Sequence, residues 1–146
     1  MTPDASNPGT ADLSAELRSA VSRVYRRFRS ERAHGELGDA AVNVVLHLQK
    51  EGAQSLTALS EHARVTPGSM SQTVNRLTEA GYAVRRPDPG DGRRVLFALT
   101  PEGDALAREL RARSTAWFDG ELDRFTPQER ALLREAAVLL ERIAAN

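Results

Sequence analysis

Apolar residues recur along this chain at helical spacing, with one interruption. Leu13, Leu17, Ala20, Val21, Val24 and Phe28 form one stripe and predict a helix over residues 11–32. Asp12 or Ser14 is placed to cap it. Gly35 and Gly38 interrupt the pattern, and Asp39 can cap a second helix over residues 40–51 that carries Val42, Val45 and Leu46. This helix has few charges, so much of its surface should be buried, and Gly52 ends it. A short helix is expected over 56–63, with Thr57 as cap and Leu59 and Ala63 facing inward. Thr66-Pro67 then opens a helix over 66–80 that Gly81 stops.

The period then changes. Residues 83–86 and 94–99 each carry β-branched or aromatic side chains and read as short strands, and Pro87, Pro89, Gly90 and Gly92 between them make a turn. Helical spacing returns at Thr100-Pro101-Glu102 and runs to about residue 122, carrying Leu106, Leu110, Trp117 and Phe118. Thr126 followed by Glu129 has the form of a capping box. The last helix carries Leu132, Leu133, Ala136, Leu139, Leu140 and Ile143. Two strands are too few for a core, so the fold class is mainly α with a small appended β-hairpin, an α+β arrangement. The turn Arg64-Val65-Thr66 between two helices has helix–turn–helix spacing.

The first helix and the last two carry more apolar residues than one small domain can bury, among them Leu13, Leu17, Leu132, Leu139, Leu140 and Ile143. A self-complementary patch of that kind suits a two-fold homodimer. The expected organisation is a disordered tail over 1–10 and a single unit over 11–146. Within that unit, 39–100 form the DNA-binding part, and 11–34 plus 101–146 form the dimerisation helices.

Charge changes the picture locally. The 146 residues balance 20 basic against 20 acidic side chains. From Arg64 to Arg94, however, six arginines (64, 76, 85, 86, 93, 94) face three acids (79, 88, 91). A basic patch on a neutral chain is the electrostatic footprint of nucleic-acid binding. The chain has no cysteine, which excludes disulfides and thiolate metal sites. No apolar run of about 18 residues is present, and the first ten residues lack a basic start and an apolar centre. The expected location is the cytoplasm.

On a helical wheel for 66–80, Met70, Thr73, Val74 and Leu77 share one face, and Ser69, Gln72, Asn75, Arg76 and Glu79 share the other. A face of serine, glutamine, asparagine and arginine suits a major groove, because Gln and Asn can bond adenine in two places and Arg can do so with guanine. A plain solvated face would have the same polarity, so it is the adjoining helix–turn–helix spacing that favours base reading. The hairpin tip holds Arg93 and Arg94 at its base, where arginine can enter a minor groove, and Asp91 is spaced to brace the Arg93 guanidinium.

The run Asp91-Gly92-Arg93, five residues, then Leu99-Thr100-Pro101-Glu102-Gly103 resembles the wing signature of the multiple-antibiotic-resistance regulator (MarR) family, with every fixed position present. Leu77-Thr78-Glu79-Ala80-Gly81-Tyr82-Ala83-Val84-Arg85-Arg86 resembles that family's recognition-helix exit. The resemblance implies a winged helix–turn–helix and a homodimer on a pseudo-palindromic double-stranded DNA site. It implies repression by steric occlusion, relieved by a small-molecule effector that is often aromatic. By matching position, Asp91 and Arg93 carry the wing role, while Ser69, Gln72, Asn75 and Arg76 fall where base and phosphate contacts cluster. Pro87-Asp88-Pro89-Gly90 departs from the pattern in being stiff and in diluting the wing charge.

The effector candidates are Tyr25, His47, Trp117 and Phe118, with Arg23 or Arg29 for an anionic group; at helical positions Trp117 and Phe118 are more readily read as core than as ligand contacts. His34, His47 and His62 lie on separate segments without ligand spacing, so no metal site is expected, and no cofactor. Nucleophile-elbow, phosphate-loop and paired-histidine motifs are absent, which argues against an enzyme. The remaining alternative is a winged helix used as a protein-interaction module, its arginines paired with an acidic partner.

Overall fold

The computed structural model describes residues 8–32 and 35–145. Helix α1 spans Pro8–Glu31, and a single 3-10 turn at Gly35–Leu37 leads into α2, Gly38–Glu51. A two-residue strand β1, Gln54–Ser55, precedes α3, Leu56–Ala63, and α4, Pro67–Glu79. Strands β2, Ala83–Pro87, and β3, Val95–Leu99, form the hairpin; α5, Pro101–Leu122, and α6, Pro127–Ala144, complete the chain. The first helix begins at Pro8, so residues 8–10 of the expected tail are helical; the rest of that tail, and His34, lie outside the described residues.

Threonine caps set three of the helix starts. The side chains of Thr66, Thr100 and Thr126 accept hydrogen bonds from the backbone N–H of Ser69, Gly103 and Glu129, and each is followed by proline in the first turn. Glu129 returns the bond to Thr126, completing the capping box. Three expected caps are displaced. Helix α1 begins at Pro8, which puts Asp12 and Ser14 inside it rather than at its start. Ser55, not Thr57, caps α3. Asp39 lies inside the first turn of α2, which starts two residues before the expected position, and pairs with Arg29 of α1. At the helix–turn–helix corner Arg64 takes a left-handed conformation, φ 54°, while Val65 N–H bonds Ser60 O and closes the turn.

The sheet has three strands in the order β1-β3-β2, all antiparallel, where only a hairpin was expected. Gln54 pairs with Phe97 and Ser55 with Leu96; on the other side Ala83 pairs with Leu99 and Arg85 with Phe97. Strand β1 therefore ties the entry of α3 to the wing. Beneath the sheet lies one core: Val45 of α2, Leu59 of α3, Met70, Val74 and Leu77 of α4, Phe97 of β3, and Leu106 and Leu110 of α5.

Two residues of the L-T-x-x-G pattern act as architecture. The Thr100 hydroxyl donates to Gly81 O at 2.6 Å while its N–H donates to Tyr82 O at 3.1 Å. A Cβ on Gly103 would lie 2.0 Å from Tyr82 O, so only glycine lets α5 start against the exit of α4.

Candidate nucleic-acid interface

The outer face of α4 is positioned by the inner one. Met70, Val74 and Leu77 are buried, which turns Ser69, Gln72 and Arg76 to solvent. Thr73, expected inside, is half-buried and spends its hydroxyl on Ser69 O at 3.2 Å. Asn75 is also half-buried, and its Oδ1 accepts a hydrogen bond from Arg85 Nη2 at 2.8 Å. Arg85 lies on β2 with its guanidinium 5.6 Å from the centre of the Phe97 ring, the residue it faces across the sheet. Neither spacing nor periodicity signals this tie, because it joins a helix face to a strand on the far side of a turn.

The wing tip, residues 88–94, is held by its acids. Asp88 N–H bonds Arg94 O at 2.9 Å, and Asp88 Oδ1 accepts from Gly90 N–H at 2.9 Å. Asp91 does not brace the Arg93 guanidinium. Its Oδ1 accepts from the Arg93 backbone N–H at 3.1 Å, and its carbonyl accepts from Arg94 N–H at 3.0 Å. The reason is local: a carboxylate two residues ahead of an N–H closes an Asx turn more readily than it reaches a long side chain. Arg94 Nε lies 4.0 Å from Asp88 Oδ2, while the exposed Arg93 guanidinium has no acidic partner among the described residues. The acids thus shape the loop and leave Arg93 as its available cation.

Between the outer face of α4 and the ends of α1 and α2, a crevice of about 450 Å³ is lined by Arg29, Asp39, Asn43, Ser69, Gln72 and Arg76, among others. The candidate effector residues separate. Trp117 and Phe118 join Phe28, a residue read from sequence only as part of a helix stripe, with ring centres 5.5 to 6.4 Å apart. Arg27 lies 5.9 Å from the Trp117 ring centre and Arg32 lies 4.9 Å from that of Phe28. The buried Nε of Arg32 finds no hydrogen-bond partner among the described residues. Tyr25 sits apart, half-exposed, 5.6 Å beneath Arg29. His47 stacks on His62 of α3, ring centres 3.7 Å apart, in the winged part of the molecule. Burial lowers the His47 pKa below its ordinary 6.5; His62 and Lys50 push the same way and Glu51 opposes them.

A helix–turn–helix, a three-stranded sheet ending in an arginine-tipped hairpin, and flanking helices on both sides define a winged helix–turn–helix DNA-binding regulator. The sequence profile of the MarR family matches residues 36–94. An HTH-type transcriptional regulator of Mycobacterium bovis is 32% identical over 130 residues, covering 89% of this chain and 91% of that protein. The crystal structure of MarR superposes with a TM-score of 0.70 at 28% identity, covering 88% of this chain and 97% of that one. Streptococcus pneumoniae FabT, crystallised in complex with DNA, shares the fold with a TM-score of 0.74 at 18% identity, covering 93% and 97%. The chain belongs to the MarR family and is a DNA-binding transcriptional regulator.

Proposed function

We propose that the protein works as a homodimeric repressor on a pseudo-palindromic double-stranded DNA site, in the cytoplasm where that DNA lies. In this reading each α4 enters a major groove with Ser69, Gln72, Asn75 and Arg76, and each wing sends Arg93 and Arg94 into a flanking minor groove. Asp91 acts indirectly, by holding the loop that presents Arg93. The labour divides as the sequence suggests, with 39–100 meeting DNA and 11–34 plus 101–146 assembling two copies. No catalytic step is part of the reading.

The observation that carries it is the unburied apolar surface of the terminal helices. Leu13 is 53% exposed, Leu132 66% and Ile143 65%, and α6 buries no residue within the chain. A contiguous apolar face of this kind marks an association site. A second copy satisfies it with two-fold symmetry, which spaces two reading helices one DNA turn apart. FabT, with the same fold, has been crystallised with DNA. A small-molecule effector is seated, in this reading, at the Phe28–Trp117–Phe118 cluster. There the Arg32 guanidinium, over the Phe28 ring, supplies the positive charge for an anionic group on an aromatic ligand. Tyr25 and His47, grouped with these aromatics from sequence, lie outside that cluster.

Selection of bound duplexes from a random pool, with light scattering on the same preparation, tests the reading. The expected result is a dimer and an enriched inverted repeat. Gln72→Ala should relax preference at particular base pairs at a cost of roughly 1–3 kcal/mol. A protein-interaction module predicts no enriched sequence, and that outcome would replace this reading with the alternative.

A further inference from the structure

Gln72 and Asn75 lie three residues apart on one face of α4 and carry the same functional group, yet they are not equivalent readers. Gln72 is exposed and makes no hydrogen bond among the described residues, so its amide keeps both an acceptor and a donor for a base. The Asn75 Oδ1 is already engaged by Arg85 Nη2 at 2.8 Å. A guanidinium has donors only, so the oxygen of the amide must face it; the orientation follows from chemistry rather than from a choice between nearly identical atoms. Arg85 is itself held, with its guanidinium against Phe97 on the neighbouring strand.

This tie leaves Nδ2, with two N–H donors, as the group Asn75 offers. Adenine in the major groove presents one acceptor, N7, and one donor, the N6 amine, and a two-point bond needs an amide that accepts and donates at once. Oδ1 retains a second lone pair. To reach it, however, the adenine amine hydrogens would have to approach beside a positively charged guanidinium. Guanine presents two acceptors, N7 and O6, and meets a donor-only amide without that conflict. We propose that Arg85 is a positioning residue that converts Asn75 into a donor-only reader, so that Asn75 selects guanine at the base pair it faces while Gln72 remains able to select adenine. This inference rests on the reading in which α4 enters the major groove. It adds that the specificity of one position in that helix is set from the wing strand.

The test is selection of bound sequences from a random duplex pool by the full-length protein and three variants, each checked by circular dichroism. Asn75→Ala identifies the position by flattening its preference. At that position the native protein should favour guanine over adenine by about tenfold. Arg85→Met keeps an unbranched side chain on β2 but removes the guanidinium and frees Oδ1, and adenine should rise to match or exceed guanine there while other positions hold. Arg85→Lys keeps a charged donor beside Oδ1 and should retain guanine. A native preference for adenine at that position overturns the inference. So does an Asn75→Ala motif identical to the native one, or an Arg85→Met protein that binds all sequences more weakly with unchanged base identities, as a purely structural role would give. If Arg85→Met fails to fold, the native and Asn75→Ala arms still decide the guanine preference. Absence of any enriched motif with the native protein instead defeats base reading by α4 as a whole, and is seen before any variant is compared.

Discussion

Leu77 in α4 and Leu132 in α6 both stand in helices with a well-marked apolar stripe, and their surroundings are opposite. Leu77 is wholly buried in the core; Leu132 is 66% exposed, and none of the 18 residues of α6 is buried within the chain. The core beneath the winged part is closed, with Val45, Leu59 and Val74 inaccessible to solvent and Leu110 of α5 sealing it from the C-terminal side. The terminal helices α1 and α6 leave theirs open. Apolar periodicity therefore announces that a face will be covered without saying by what. In this protein one set of stripes is spent on folding, and the other is left uncovered by the chain itself.

This contrast makes unequal demands on mutation. If the terminal helices form the proposed dimer, replacing Leu139 and Ile143 together by Glu should give a folded monomer and weaken DNA binding by roughly 10²-fold or more through lost bivalency. Sedimentation and a binding titration on the same sample check it, and a variant that stays dimeric would remove α6 from the interface. Leu77→Ala should cost about 2–5 kcal/mol of stability by opening a cavity in the winged core. Leu132→Ala placed in the monomeric background should change stability by less than about 0.5 kcal/mol. Urea melts of the two decide whether the two regions differ as described.

Smaller effects concern charge. Arg93→Ala should lower the salt slope of DNA binding by about one, with similar losses on all sequences; an unchanged slope would mean that the wing makes no phosphate contact. The smallest effect is that of His47. Because its pKa in the folded protein lies below the ordinary 6.5, the unfolded chain takes up the proton first. Stability is therefore full above pH 6.5 and declines as pH falls below it, until the folded state is protonated too. His47→Gln should flatten that decline in melts between pH 7.5 and about 5. A slope unaffected by the substitution would assign it to another group.

What could be read from the sequence was what is local. Thr66, Thr100 and Thr126 act as caps because the hydroxyl and the N–H it serves are three residues apart. The inner face of α4 follows from period, and the hairpin from side-chain type and the Pro/Gly turn between its strands. What was hidden depends on pairing between distant segments. Ser55 caps α3 because Gln54 and Ser55 join the edge of β3, and a strand of two residues has no period to detect. Asp39 turns to Arg29 of another helix instead of capping its own. At the candidate site Ser69, Gln72, Arg76, Arg93 and Arg94 are exposed as expected. The engagement of Asn75 by Arg85 and the stacking of His47 on His62 each need the folded chain to be seen.

The shared duty of Thr100 has a mechanical consequence. One side chain begins α5 by accepting from Gly103 N–H, and fastens the exit of α4 by donating to Gly81 O. The opposite face of that joint is sealed by Gly103 against Tyr82, where no atom can be added. Helix α5, 22 residues long, is a rod of about 33 Å whose near end is pinned to the recognition helix. Under the proposed reading, in which α4 meets DNA, a tilt of the rod would bear on α4 through this joint, which offers one shared hydroxyl and one glycine contact to absorb it. A dimer assembled through the terminal helices would inherit two such levers, and the separation of its two reading heads would be a function of their angle.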